Sequence, residues 1–264
     1  MPLLSIEDLS VSYEHEGQSV LAVDQVSLSI EPQEIVALVG ESGSGKSSLG
    51  LAITRLLPNP PVRIHAHTLE FNGLNILEAS ESQLRRLRGK EITYVFQDPA
   101  SSLNPVLTLG DQLREVIEYH TDRRGKAADA HALEWLQHVG IPNARLSAYP
   151  HEFSGGMQQR LMIAMAMASQ PKLLIADEPT SALDVTVQVQ ILRLLRQLQQ
   201  QYRLSILLIS HDLLVVRRMA HRVVVLRKGQ IVESGSVPQI LEHPTHPYTQ
   251  SLLAARASMS IPAQ

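Results

Sequence analysis

Gly40-Glu41-Ser42-Gly43-Ser44-Gly45-Lys46-Ser47 fits the spacing G-x-x-x-x-G-K-[ST], which suits the cradling of a phosphate chain. Glycines let backbone N–H groups converge on phosphate oxygens without side-chain clash, and a helix opening at the same point adds partial positive charge. Lys46 is placed to reach β- and γ-phosphates, and Ser47 to offer its hydroxyl to Mg²⁺. Ser42, Ser44 and Ser48 join the cradle as candidate ligand contacts.

A second group closes an apolar run, Lys172-Leu173-Leu174-Ile175-Ala176-Asp177-Glu178-Pro179. In the parallel sheet of a phosphate-loop fold, such a strand is expected beside the cradle strand. Asp177 would then hold the Mg²⁺ shell, through water or directly, and Glu178 would orient and deprotonate an attacking water. Two acids at a strand end are otherwise an ordinary solvated loop. The cradle upstream turns them into candidates for hydrolysis.

The elements that must position these groups follow from periodicity. Residues 3–12 and 21–30 read as strands with a polar loop at 14–19, and 34–39 as a short apolar strand before the glycine turn. A helix is expected over 47–57, stopped by Pro58, Pro60 and Pro61. Asn72-Gly73 marks a hairpin between 68–71 and 75–77, and 92–96 is another strand. Leu109, Leu113, Val116 and Ile117 share a helical face, with Thr108 and Asp111 spaced as a capping box. Helices at 127–139 and 155–169 follow. Beyond them strand and helix alternate, at 173–176, 185–202, 205–209, 213–220 and 223–226, which implies a parallel sheet with covering helices. The expected fold is α/β, with a phosphate-loop nucleotide-binding core and its N-terminal antiparallel β-subdomain over 1–97 and 171–235, a helical subdomain inserted at 98–170 and a C-terminal extension at 236–264.

Composition removes other classes. The 264-residue chain is 44% hydrophobic and 19% charged, which gives material for a core and argues against disorder. A formal net charge of −3 supplies no basic face for nucleic acid. With no cysteine in the sequence, disulfides, thiolate zinc sites and cysteine-held iron–sulfur clusters are excluded within it. The opening residues 1–8 carry early acids and do not read as a signal peptide. No apolar run nears the ~18 residues that span a bilayer. The chain is therefore expected to be soluble by itself, with any membrane role arising through partners. The scattered histidines, His65 and His67 among them, read as surface residues rather than metal ligands.

One further segment discriminates among phosphate-loop enzymes. Phe153-Ser154-Gly155-Gly156-Met157-Gln158-Gln159-Arg160 resembles the signature of the ABC ATPases, usually LSGGQ. The resemblance implies that Ser154, Gly155, Gly156 and Met157 contact the ATP held by another subunit, head to tail. It implies that Tyr13 stacks on adenine and that Gln97 senses Mg²⁺ and the γ-phosphate. It also implies that Ser181-Ala182-Leu183-Asp184 crosses the dimer interface and that His211 contacts the γ-phosphate. Each has a plainer alternative. Tyr13 also reads as a half-buried strand aromatic, Gln97 as a polar strand end, Asp184 as a helix N-cap and His211-Asp212 as a helix cap. Their order along the chain favours the family reading.

Several stretches are similar to one subgroup, the ATPases of dipeptide, oligopeptide and nickel importers. They are 96–105, 149–152, 162–166, 178–186 and His246-Pro247-Tyr248-Thr249 with Leu252-Leu253. The resemblance implies ATP and Mg²⁺ as ligands and two permease subunits in the membrane. It also implies a second, distinct ATPase and, indirectly, an extracytoplasmic binding protein, with the chain peripheral on the cytoplasmic side of a prokaryotic inner membrane. Met157, where glutamine is usual, points to a heterodimer. Many relatives continue with cluster-binding cysteines, which this sequence lacks, so no iron–sulfur cluster is expected. An exporter ATPase shares the nucleotide chemistry. A non-transport ABC ATPase acting on nucleic acid or ribosomes, the other alternative, is disfavoured because no long coiled coil, second cassette or zinc cysteines are present.

Overall fold

The computed structural model describes residues 1–15, 18–142, 145–181 and 183–259. These fall into two compact units, 1–80 with 205–264, and 81–204.

The first unit opens with two long antiparallel strands, β1 (Leu4–His15) and β2 (Gln18–Ile30), paired from Leu4↔Ile30 to His15↔Gln18. The polar stretch expected as a loop is mostly ladder, with Glu14 opposite Ser19; Glu16 and Gly17 lie outside the described residues. Main-chain pairing does not need apolar side chains, and β2 begins with four exposed residues. Next come β3 (Ile35–Val39), α1 (Lys46–Ile53), β4 (Val62–His65), β5 (Thr68–Phe71) and β6 (Leu74–Asn75). Helix α1 ends at Ile53, earlier than the proline run suggested. The Asn72-Gly73 turn has φ of 49° and 79°, as a two-residue hairpin with both central residues left-handed requires. Strands β4 and β5 both pair antiparallel with β1.

The second unit contains α2 (Glu81–Leu87), β7 (Ile92–Val95), α3 (Pro99–Ser102), α4 (Leu109–His120) and α5 (Lys126–His138). It continues with α6 (Gly155–Met167), β8 (Leu173–Asp177) and α7 (Val185–Tyr202). Thr108 caps α4: its hydroxyl accepts the Asp111 amide at 3.1 Å and donates to the Asp111 carboxylate at 2.6 Å. One histidine departs from the surface reading. His131 has a side chain only 4% exposed, with ring nitrogens 3.0 Å from the Glu134 carboxylate and from the Ala168 carbonyl. It lies one turn before the fully buried Trp135, whose indole donates to it, so the core face of α5 includes a polar ring.

The chain then returns to the first unit with β9 (Ser205–Ile209), α8 (Leu213–Met219), β10 (Arg222–Arg227), β11 (Gln230–Ser236), α9 (Val237–Glu242) and α10 (Pro247–Met259). Strand β3 runs parallel to β10 on one side and β9 on the other. The neighbours of the cradle strand are therefore β9 and β10, not the acidic strand β8 expected from sequence. Both β8 and β9 are five-residue strands buried throughout, so composition cannot order them. Among the described residues, no helix is long and apolar enough to cross a membrane, and no cluster of acids and histidines forms a metal site.

Candidate nucleotide-binding site

Strand β3 is buried along its length and delivers the chain into a tight loop at Gly40. A β-carbon at Gly40 would stand 2.2 Å from the Leu226 carbonyl oxygen and 2.7 Å from Ser44 Oγ. At Gly45, φ is 102° and a β-carbon would meet the Ala22 carbonyl oxygen at 2.2 Å. Neither position admits a side chain. Both glycines let the loop press against β2 and β10 before α1 begins.

Lys46 opens α1 and is 7% exposed. Its ammonium donates to the carbonyl oxygens of Gly40 (3.1 Å) and Glu41 (2.7 Å) and lies 3.4 Å from Ser44 Oγ. A buried cation needs such ligands, and here the loop itself supplies them by curling around the charge. Ser42, Gly43 and Ser47 are exposed, while Ser44 is buried. Tyr13, half-buried on β1, places its hydroxyl 3.0 Å from Ser48 Oγ, which ties the aromatic ring to the first turn of α1. His211 follows β9 and is half-buried. The helix cap there is Asp212, whose carboxylate accepts the Leu214 and Val215 amides, so capping does not account for the histidine.

In the other unit, β7 and β8 run parallel from Ile92↔Leu173 to Val95↔Ala176. The chain leaves both strands at the same level, which brings Gln97 to Glu178: Nε2 donates to Oε2 at 3.4 Å. Glu178 has a φ of 46°. A non-glycine residue held in the left-handed region typically costs about 1–3 kcal/mol and clusters at functional sites. The turn is kept by Ser181, whose amide and hydroxyl both donate to the Glu178 carbonyl at 3.2 Å.

Asp177 is 6% exposed. Its Oδ2 accepts the Tyr94 hydroxyl at 2.7 Å, and its Oδ1 is buried without a protein partner. An orphaned carboxylate oxygen is expensive and fits a divalent cation or its bound water. Asp177 and Gln97, both in this unit, offer oxygen donors of the kind Mg²⁺ takes, and Ser47 of the first unit is the further donor expected from sequence. Tyr94 was not apparent from sequence. Burial, and then the Asp177 charge and the hydrogen bond to it, push its phenol far above its usual range, so it stays a donor. The available signal was alternation: Tyr94 and Phe96 share a strand face, and their ring centroids are 4.6 Å apart. Replacing Tyr94 by Phe removes a charge-assisted hydrogen bond, worth about 1.5–3 kcal/mol. The expected result is a lower thermal unfolding midpoint for the full chain, read by circular dichroism.

The glycine-rich segment lies at the start of α6. Ser154 is the N-cap residue, is exposed, and makes no side-chain cap hydrogen bond. Gly155 is exposed, and Gly156 is buried so tightly that a β-carbon would lie 2.4 Å from Val187 Cγ1. Met157 is half-buried, its amide bonded back to the Ser154 carbonyl at 2.9 Å. The contact with Val187 sets the segment beside the start of α7. There Asp184 is a helix cap, accepting the Thr186 and Val187 amides at 3.0 Å each. Ala182 lies outside the described residues.

A family model described as ABC transporter matches residues 23–181, from β2 through the acidic strand and the turn after it. The chain belongs to the ABC transporter family. It is 49% identical to the dipeptide transport ATP-binding protein DppD of Escherichia coli, covering 97% of this chain and 78% of that one. It is 52% identical to the peptidoglycan transport ATP-binding protein YejF of Agrobacterium fabrum, over 96% of this chain but 47% of the relative, so it spans about half that protein's length. A dimeric ATP-binding cassette solved with ADP and phosphate, MJ0796, superposes with a TM-score of 0.78 at 26% identity, covering 89% of this chain and 98% of that one. The ABC cassette fold read from the signature and the cradle is therefore the fold of this chain.

Proposed function

We propose that the chain binds Mg-ATP and hydrolyses it as the energising subunit of an ABC importer with a peptidic cargo, ahead of nickel or a metal–chelator complex. The observation that carries this reading is the 49% identity to a dipeptide transport ATP-binding protein across most of both chains. The site residues support the chemistry. Lys46 and the loop amides bind the phosphates, Tyr13 holds the base, and Ser47, Gln97 and Asp177 hold Mg²⁺. The cation neutralises charge on the phosphates. Glu178, steadied by Gln97, takes the proton of the attacking water, and His211 hydrogen-bonds the γ-phosphate. Ser154, Gly155, Gly156, Met157 and Asp184 serve the nucleotide held by a second ATPase subunit, so that ATP holds the pair closed and hydrolysis releases it.

Closure of the pair biases two membrane permease subunits between two states, which is gating by differential affinity. An extracytoplasmic binding protein delivers the cargo, and the chain sits peripherally on the cytoplasmic face. Source cells deleted for this chain are expected to lose uptake of labelled di- or oligopeptide. Restoration by the unaltered chain and not by Glu178→Gln supports the reading; unchanged peptide uptake in the deletion strain counts against it.

A further inference from the structure

The His246-Pro247-Tyr248-Thr249 segment lies outside the stretch that the family model matches, and none of the steps above uses it. It reaches the phosphate cradle. Tyr248, at the start of α10, is 6% exposed and belongs to a core cluster with Ala37 and Val39 of β3 and Val223 and Val225 of β10. Its phenolic oxygen accepts the backbone N–H of Glu41 at 3.2 Å. The Arg227 guanidinium lies over its ring, 4.8 Å from the centroid. The segment before it is fastened independently. The Glu233 carboxylate accepts the Thr245 amide and hydroxyl at 2.7 Å each, and the His246 amide at 3.3 Å.

We infer that Tyr248 is a positioning residue for the phosphate cradle, holding the Glu41 amide and so setting the path of the loop between β3 and α1. The inference rests on the reading of residues 40–47 as the phosphate site. The two peptide units that flank the Glu41 α-carbon are both held, the N–H before it by Tyr248 and the carbonyl after it by the Lys46 ammonium at 2.7 Å. Without the phenolic oxygen, the Glu41 amide loses its acceptor, and the carbonyl that orients Lys46 is no longer fixed. A packed ring alone would not do this. Leu252, in the same cluster, fills the core as an apolar side chain can, whereas Tyr248 also carries an oxygen to the loop.

The test is Tyr248→Phe in the full chain, which keeps the ring, its packing and the Arg227 contact and removes only the acceptor. A neutral hydrogen bond is worth about 0.5–1.5 kcal/mol, so affinity for a fluorescent ATP analogue is expected to fall about three- to tenfold. Amide exchange in a peptide covering 39–46 is expected to quicken, while exchange in β10 and α10 and the unfolding midpoint stay near the unaltered chain's. Unchanged affinity and unchanged exchange at 39–46 overturn the inference. So does a general loss of protection with a large fall in midpoint, which makes Tyr248 a core residue only. In the unaltered chain, the Glu41 amide is expected to exchange more slowly than those of exposed Ser42 and Gly43; equal rates contradict the contact directly. If the unaltered chain is protected at Glu41 yet binds no ATP, the phosphate reading fails and the positioning role with it, while the hydrogen bond stands.

Discussion

Glu178→Gln is expected to bind ATP with near-native affinity and to turn it over about 10²–10⁴-fold more slowly, the usual contribution of a positioned general base. The substitution keeps shape and volume. The amide can still meet Gln97, 3.4 Å away, and the left-handed turn that Ser181 secures through the Glu178 backbone is untouched. Only the ability to accept a proton is lost. Steady-state phosphate release, measured beside equilibrium binding, separates the two effects. Turnover within a fewfold of normal would remove Glu178 from the role of base.

Lys46→Ala has the other large effect, on binding. The ammonium is nearly buried, with its donors on two loop carbonyls and close to Ser44 Oγ, and in the proposed role it would exchange such contacts for phosphate oxygens held in the same loop. Hydrogen bonds to charged groups are worth about 1.5–3 kcal/mol each. Losing contacts to two phosphate groups therefore weakens ATP binding by about 100-fold or more. Titration with a fluorescent ATP analogue checks this, and affinity within threefold of the unaltered chain would contradict it.

These two residues were legible in the sequence for a physical reason. A phosphate cradle needs consecutive backbone amides, small residues and a lysine at one spacing, all inside a single loop. The acid pair at 177–178 was likewise contiguous, and its apolar strand announced it. Contacts between distant segments were not legible. Nothing local says that β9 rather than β8 pairs with β3, since both strands are uniformly buried. The Tyr94 hydroxyl on Asp177 joins residues 83 apart, and the Tyr248 contact joins residues 207 apart. The Asn72-Gly73 hairpin and the Thr108 cap lie at the opposite extreme, since their partners are within three residues. Asp184 shows the intermediate case, in which the plain reading as an N-cap is the one its carboxylate geometry displays.

The central claim is that this chain drives a membrane transporter, and the most direct measurement is affinity purification of tagged Glu178→Gln with Mg-ATP from gently solubilised membranes of the source cells. Mass spectrometry of the co-purifying chains is expected to find two multi-spanning permease subunits and a second, distinct ABC ATPase. Recovery with ribosomes or DNA-associated proteins, and without membrane subunits, would contradict the transport assignment while leaving the chemistry of Lys46 and Glu178 in place.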